Sequence, residues 1–359
     1  MLKQQGIELG TSIGQLEGAA YNGGGAWSVA NYFTAPWGVY QYPAMAEAVL
    51  ANLPATINPN RVHDAQVAEQ TIIAGIAFHN PSGGDFDPSG TSVVGGTWFA
   101  EDLGFVGDVL YRGGWLDSAT LQSWERRLVS YVRWLESSGN AGFYVNGNVN
   151  LRFALIMLAA RNLATDAGDT ADAAEVNADL AAEEAFTMNP CANRVCNPQS
   201  GAWGWHQNGF AGYLSETPGN FPGNFSCYGP QPCAGFDPEY TGLQLQDALA
   251  GYVLSGYHGW WQHIVGSEYE QLAPLVSQGE LNQANGSRKN DPPFLFVPPV
   301  YAVLDEHNLV SDDGGWLAQL GVYQSDAKIW VANAGSQGPN EYSALAAPAI
   351  ALLDAEQAR

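Results

Sequence analysis

The chain of 359 residues carries 13 basic side chains against 36 acidic ones, which gives a formal net charge of −23. Hydrophobic residues make up 46% of the sequence, so the chain can bury a large core and is not a disordered protein. The negative charge argues against nucleic acid and anionic membrane surfaces as partners, because both need basic patches. No run of about 18 apolar residues occurs, and the sequence therefore predicts no membrane-spanning helix.

Helical periodicity dominates the sequence after an irregular segment at 1–40 that is rich in Gly and aromatic residues. The clearest helix is predicted over 118–135, where the apolar residues form one stripe and Glu125, Arg126 and Arg127 lie largely off it. That stripe consists of Leu121, Trp124, Leu128, Tyr131, Val132 and Leu135. Similar patterns predict helices over 43–55, 62–79, 97–112, 150–164, 171–187, 241–255, 259–277, 295–307, 314–333 and 341–357.

About eleven helices in series, without strand–helix alternation, predict an all-α fold. Because no repeat supports a solenoid, the expected architecture is a single (α/α) toroid of helical hairpins that spans 1–359. The segment 188–240 is too long for a plain connection, and we expect it to lie over a central cleft. In the Ala-rich helix 171–187, the acidic side chains are predicted to point outward, namely Glu175, Asp179, Glu183 and Glu184.

Four cysteines lie together in the long segment, as Cys191 with Cys196 and Cys227 with Cys233. Their even number and short separations favour two local disulfides, which form in oxidising compartments. A structural zinc site or free thiols are the alternatives, although zinc sites usually have the closer Cys-x-x-Cys spacing. No apolar signal core follows Met1, so the chain is expected to be either cytosolic or a trimmed mature form. The four cysteines favour the trimmed form of a secreted, extracellular protein.

Aromatic residues mark the same segment, where Trp203, Trp205 and His206 are close together in Gly201-Ala202-Trp203-Gly204-Trp205-His206. Flat aromatic rings exposed in a cleft can stack on the faces of sugar rings, and simple packing of the loop is the alternative. His206 is the histidine best placed to act as a base, although a lone histidine often has a structural role.

A second polar cluster, which contains Tyr144, Asn146, Asn148, Asn150 and Arg152, opens the helix predicted at 150–164. One asparagine is expected to cap the helix. Three asparagines exceed what a cap needs, and an amide near a helix N-terminus can hold a carboxylate or hydroxyl groups. We therefore expect Asn146 or Asn148 to contact a ligand.

Two further loops carry candidate groups. Asp237, Glu239 and Tyr240 precede the helix predicted at 241–255; Asp237 can cap that helix and Tyr240 can donate a proton. Arg288 lies in a loop beside Lys289, in a chain with few basic residues. It is either part of a solvated turn or an anion-binding group.

Taken together, the Asn-rich turn before a helix and the His, Tyr and Arg residues in loops resemble the helical-toroid polysaccharide lyases. That resemblance implies that Asn148 or Asn146, with Arg288, neutralises the carboxylate of a uronate. It also implies that His206 removes the C5 proton and that Tyr240 protonates the leaving oxygen. The remaining predicted contacts with the polysaccharide or oligosaccharide are Tyr144, Trp203, Trp205, Asp237, Glu239 and Asp102.

A weaker resemblance is to the helical-toroid glycoside hydrolases, which need two carboxylates across the glycosidic bond. The carboxylates lie about 6.5–9.5 Å apart in inverting enzymes and about 5–5.5 Å apart in retaining ones. Glu101 or Asp102 with Asp237 or Glu239 are the candidates, and we expect them at different helix mouths. A non-catalytic glycan-binding protein is the third reading. No cofactor or metal is expected, and the protein is expected to be a monomer.

Overall fold

A computed structural model describes residues 41–56, 58–78, 86, 93–137 and 147–188. Those residues form six helices joined by turns and contain no β-strand, which agrees with the predicted all-α class. None of these helices is long and apolar enough to cross a membrane. They are α1 (Gln41–Asn52), α2 (Arg61–Ala77), α3 (Val93–Arg112), α4 (Ser118–Ser137), α5 (Gly147–Ala167) and α6 (Thr170–Met188).

All six helices predicted before residue 188 are present, but two begin three or four residues earlier than predicted. The helix α3 begins at Val93 rather than at 97, through Gly95 and Gly96, which are weak helix formers. Gly96 is buried, so packing outweighs its low propensity. Glu101 and Asp102 therefore lie in the middle of α3, and the prediction that they come from a helix mouth was wrong. The helix α5 likewise begins at Gly147 rather than at 150.

The same turn chemistry ends α3 and α5. Gly114 and Gly168 both adopt positive φ angles, 76° and 78°, which glycine reaches without the steric penalty of a Cβ atom. In each turn the amide after the glycine donates to a carbonyl five residues back, as Trp115 does to Leu110 O at 2.9 Å. This is the Schellman motif, which satisfies the last carbonyl groups of a helix.

An aspartate begins the next helix after each of these turns. Asp117 Oδ1 accepts a hydrogen bond from the amide of Thr120 at 2.7 Å, and thereby caps α4. Asp169 Oδ1 accepts from the amides of Ala171 at 3.2 Å and Asp172 at 3.0 Å, and thereby caps α6. Such short turns reverse the chain, so the helices follow one another as hairpins.

The six helices pack in two rows. One row is α1, α3 and α5, in which each helix packs extensively on the next; we call it the buried row. The other is α2, α4 and α6, whose contacts with one another are sparser; we call it the amphipathic row. Along the buried row, residues 100–110 of α3 and 152–160 of α5 are buried without interruption. A helix that is buried on all sides must have neighbours around its whole circumference.

Two glycines of α3 allow its close packing. A Cβ atom at Gly104 would lie 2.9 Å from the Cβ of Ala159 on α5. A Cβ atom at Gly107 would lie 2.5 Å from Nε1 of Trp124 on α4, an indole that is fully buried. The α3 backbone therefore touches α5 on one side and the Trp124 ring on another.

The predicted stripe of α4 is buried in full, but it is wider than the sequence pattern suggested. Glu125 is only 2% exposed, so the prediction that it lies off the stripe was wrong. Its position is four residues after Leu121 and four before Val129, which are both buried and on the same side of the helix. Arg126 is exposed, as expected.

The prediction of outward-pointing acids on α6 was also wrong at one position. Glu175 is exposed, but Glu183 is only 2% exposed because it follows Val176 and Leu180 at helical spacing on the buried face. Position along the stripe, and not the charge of the side chain, decides its burial here.

Candidate functional site

A buried ion pair joins the two longest helices of the buried row. Arg152 Nε of α5 lies 3.3 Å from Oε2 of Glu101 on α3, and the two side chains are 4% and 8% exposed. Removing both charges from water costs free energy that their attraction and hydrogen bonds must offset. Such a pair fixes the orientation of both groups.

Further polar side chains are buried on the same row. Asp102 follows Glu101 on α3 and is 3% exposed, while Glu47 of α1 and Thr97 of α3 are fully buried. Successive helix positions point about 100° apart, so Asp102 does not face the same neighbour as Glu101. With Asp108, described next, the buried row therefore carries four buried carboxylates and one buried guanidinium group.

A second polar contact joins the C-terminal halves of α3 and α5. Asn162 Nδ2 donates to Oδ2 of Asp108 at 3.3 Å, and Asp108 is 1% exposed. Arg112 Nε lies 3.4 Å from Oδ1 of the same carboxylate, one helical turn later. Asn162 Oδ1 also accepts from Nη2 of Arg161 at 2.9 Å. Both oxygens of Asp108 are thereby engaged, which indicates a structural role.

An acidic cluster lies where α4 meets the start of α6. It consists of Glu125, Asp169 and Asp172, whose nearest carboxylate oxygens lie within 4.8 Å of one another. Burial, the charges of Asp172 and Asp169, and a side-chain hydrogen bond with Asp172 together raise the pKa of Glu125 to about 7. The three residues are within ligand distance of a single cation.

Arg133 of α4 lies beside this cluster. Its Nη2 donates to Oδ1 of Asp172 at 2.6 Å and to Oε2 of Glu175 at 2.7 Å, and its Nε donates to Oε1 of Glu175 at 2.8 Å. The bond from Arg133 keeps the pKa of Glu175 below its usual value. Because Arg133 is half exposed, solvent screens these bonds.

A third group of acids, Glu136 of α4 with Asp179 and Glu183 of α6, lies beyond Arg133 and Glu175 in the C-terminal direction of both helices. Desolvation, with a smaller effect of Glu136, raises the pKa of Glu183 well above its usual value. Desolvation and the nearby Asp179 raise the pKa of Glu136 to about 7. The facing surfaces of α4 and α6 therefore carry carboxyl groups whose pKa values are raised by burial.

Few of the residues predicted to form the site lie in the described part of the chain. Asp102 is on the buried row, and Asn148 is the second residue of α5, whose side chain lies outside the described set. Arg152, four residues after Asn148, contacts Glu101. The other predicted residues lie outside the described residues: Tyr144, Asn146, Trp203, Trp205, His206, Asp237, Glu239, Tyr240, Arg288 and the four cysteines 191, 196, 227 and 233.

The structure also brings together residues that the sequence analysis did not connect. The pair Glu101–Arg152 had no signal, because 51 positions separate its members and only the packing of α3 on α5 joins them. The acidic cluster did have a signal. Glu125 falls on the apolar stripe of α4 by its spacing. Gly168 is followed by Asp169, and a glycine followed by an aspartate is typical of a place where one helix ends and the next begins.

No family model, no curated protein and no solved structure matches this chain.

Proposed function

We propose that this chain is a secreted enzyme that degrades a polysaccharide, and that it cleaves a uronate-containing glycan by β-elimination. The observation that carries the proposal is the buried ion pair of Glu101 and Arg152 on the buried row. Charged groups that are held out of water cluster at functional sites, because catalysis needs fixed charges in a dry environment. The two rows of helices support a continuation of the same hairpins into a helical toroid, whose inner helices would be those of the buried row.

Elimination needs a fixed positive group near the substrate carboxylate. Deprotonation at C5 places negative charge beside that carboxylate, so hydrogen bonds to it lower the barrier as the charge develops. Asn148 and Arg152 are one helical turn apart on α5, and their backbone positions are on the same side of that helix. We assign carboxylate binding to Asn148 or Asn146 with Arg288, and we give Arg152 the role of a positioning residue through Glu101.

The bond changes then follow in a balanced sequence. His206 takes the proton from C5, the electron pair forms the C4–C5 double bond, and the C4–O bond breaks. Tyr240 gives its proton to the leaving oxygen. The aromatic residues Trp203, Trp205 and Tyr144 are assigned to stacking on the sugar rings.

Hydrolysis is the second candidate, and one observation favours it. Asp102 is a buried carboxylate on the buried row, and the adjacent Glu101 forms an ion pair with Arg152 at 3.3 Å. Hydrolysis needs two carboxyl groups, one as general acid and one as general base or nucleophile. In this reading Glu101 or Asp102 would work with Asp237 or Glu239.

Ultraviolet absorbance separates the two reactions. The double bond left by elimination is conjugated to the carboxylate and absorbs in the ultraviolet, whereas hydrolysis leaves no such chromophore. The protein is incubated with polysaccharides that contain uronate, and absorbance is followed beside reducing ends. We expect both to rise together. Reducing ends that rise at constant absorbance would replace elimination by hydrolysis, and binding of glycans without either signal would indicate a non-catalytic glycan-binding protein.

Variants then test the assigned residues. His206→Ala and Tyr240→Phe should each slow turnover by about 10²-fold or more, the usual effect of losing a general base or acid. The matched controls are His63→Ala, at an exposed position of α2, and Tyr111→Phe near the end of α3. Both controls should turn over at the wild-type rate. Normal rates in the His206 and Tyr240 variants would refute their catalytic roles.

Secretion has its own test, because it rests on the cysteines. Peptide mapping without reduction should find Cys191 linked to Cys196 and Cys227 linked to Cys233, in protein produced in an oxidising compartment. Four thiols that react with an alkylating agent in the native protein would contradict this assignment.

A further inference from the structure

The acidic cluster contains a buried oxygen without a partner. Glu125 is 2% exposed, and its Oε1 atom forms no hydrogen bond. A buried carboxylate oxygen without a donor is costly, because it has lost its hydration and gained nothing in exchange. One carboxylate oxygen each of Glu125, Asp169 and Asp172 lies within 4.8 Å of the other two.

We propose that Glu125, Asp169 and Asp172 form a binding site for a hard divalent cation, and that the cation is Ca²⁺. Carboxylate oxygens are the ligands that Ca²⁺ prefers, at about 2.3–2.6 Å. Two oxygens on opposite sides of one Ca²⁺ ion are about 4.6–5.2 Å apart, so three oxygens that all lie within 4.8 Å of one another can share one such ion. Mg²⁺ demands near-ideal octahedral geometry, whereas Ca²⁺ accepts a flexible geometry, and this difference is the reason for the assignment to Ca²⁺.

Each carboxylate has an oxygen to offer. Asp169 caps α6 through Oδ1, which leaves Oδ2 for a cation. Asp172 accepts the bond from Arg133 on Oδ1, and its hydrogen bond with Glu125 would give way to the cation. Glu125 contributes Oε1. Three carboxylate ligands leave the remaining Ca²⁺ positions to water, as is common for sites that are open on one side.

The charge balance around the cluster favours a cation. Glu125, Asp169, Asp172 and Glu175 are four carboxylates, and the guanidinium groups near them are Arg133 and Arg126. Arg126 donates its Nε to the carbonyl of Gln122 at 3.0 Å and is exposed, so it neutralises the cluster only weakly. A divalent cation would compensate the excess negative charge.

The site does not depend on the proposed function. It lies on the amphipathic row, where it would fasten the start of α6 to the middle of α4, two helices that otherwise contact each other sparsely. The expected role of the ion is therefore structural, and its removal should loosen α6 without touching the ion pair of Glu101 and Arg152.

Calorimetric titration of the full chain with Ca²⁺ tests the proposal, with Asp169→Asn as the decisive variant. Asparagine still caps a helix, so the turn before α6 is preserved while one ligand charge is lost. Asp117→Asn is the matched control, because Asp117 caps α4 in the same way and lies outside the cluster. Circular dichroism checks that both variants fold, and Glu125→Gln serves as a second ligand variant.

We expect the wild type and Asp117→Asn to bind Ca²⁺ alike. Asp169→Asn and Glu125→Gln should each lose one binding event or bind at least tenfold more weakly. The proposal is overturned if the wild type binds no Ca²⁺, or if both ligand variants bind it as the control does. Equal affinity for Mg²⁺ would overturn the assignment to Ca²⁺.

Discussion

The two rows of helices treat charged side chains in opposite ways. On the buried row, Glu101 and Arg152 are almost completely removed from water and contact each other across a helix interface. On the amphipathic row, Arg133 reaches Asp172 and Glu175 at a half-exposed position. The bonds on the amphipathic row are shorter, 2.6 and 2.7 Å against 3.3 Å, yet we expect them to matter less for stability. Burial, more than distance, sets the free energy that a broken ion pair costs.

The largest expected effect follows from breaking the buried pair. Arg152→Met keeps most of the side-chain volume but leaves Glu101 buried without its guanidinium partner. The free energy of unfolding, measured by urea denaturation, should fall by about 3–5 kcal/mol. The reason is the desolvated charge that remains.

Glu101→Gln in the Arg152→Met background is the control. Because the double variant removes the stranded charge, it should recover part of the lost stability, so the two substitutions are not additive. A single variant that loses less than about 1 kcal/mol would show that the pair behaves like a surface pair despite its burial.

The next effect concerns the packing between the rows. Gly107→Ala places a Cβ atom 2.5 Å from Nε1 of Trp124, a ring that is fully buried. Either α3 or the indole must move, and we expect a loss of about 2–3 kcal/mol in unfolding free energy. The near-ultraviolet circular dichroism of the tryptophans should change as well.

Gly114→Ala is the comparison for Gly107→Ala, because it strains the backbone without creating a steric clash. Nothing lies within 4 Å of a Cβ atom there, but φ is +76°, so only the left-handed conformation opposes alanine. The expected loss is about 1 kcal/mol, with an unchanged tryptophan signal. Equal losses in both variants, without a spectral change, would contradict the close approach of α3 to Trp124.

How far the sequence predicts this molecule depends on the range of the interactions. The six helices follow from local periodicity, and the stripe of α4 is confirmed residue by residue. The errors at Glu125 and Glu183 arose because their charge outweighed their helical spacing in the prediction. The start of α3 was missed because Gly95 and Gly96 disfavour a helix locally, whereas tertiary packing supports one.

The candidate site was harder to predict, since it joins distant parts of the chain. Asp102 was named from its type alone, and the structure adds that it is buried in α3, one position after Glu101. No local pattern links residue 101 to residue 152. The acidic cluster, by contrast, combines Glu125 with Asp169 and Asp172 through the packing of two helices whose ends were predictable. The contact between α4 and α6 could not be predicted from the sequence.

A smaller effect, which changes with pH, tests the acids between α4 and α6. The pKa of Glu183 is raised in the folded protein, so folding binds its proton more tightly than the unfolded chain does. Its burial is therefore harmless at pH 4 and opposes folding increasingly as the pH rises above about 4.5, the ordinary value. Glu183→Gln should leave stability unchanged at pH 4 and raise it by about 1 kcal/mol at pH 8. Thermal unfolding across this range measures the difference.

Glu136 of α4 and Asp179 of α6 are titratable groups near Glu183, and both have raised pKa values. They titrate in the wild type and in Glu183→Gln alike, so their contribution to the pH dependence largely cancels in the difference between the two proteins. Glu175→Gln is the opposite control. Arg133 lowers the pKa of Glu175, so this variant should lose stability above pH 4 and match the wild type only in acid. A Glu183 variant with the same pH profile as the wild type would show that this carboxyl group is hydrated after all.

The smallest effect is expected from breaking the exposed pair. Arg133→Met removes three short bonds to Asp172 and Glu175, yet it should lower the free energy of unfolding by less than about 1 kcal/mol, because water solvates the freed carboxylates. The loss should shrink further in about 1 M salt, where charges are screened within about 3 Å.

The same variant, Arg133→Met, frees Oδ1 of Asp172 and removes a positive charge from the acidic cluster. Ca²⁺ should therefore bind it more tightly than it binds the wild type, and titration calorimetry at low salt measures that change. A loss of several kcal/mol would show that the exposed pair matters as much for stability as the buried one. Unchanged Ca²⁺ affinity would show that Arg133 does not influence binding to the acidic cluster.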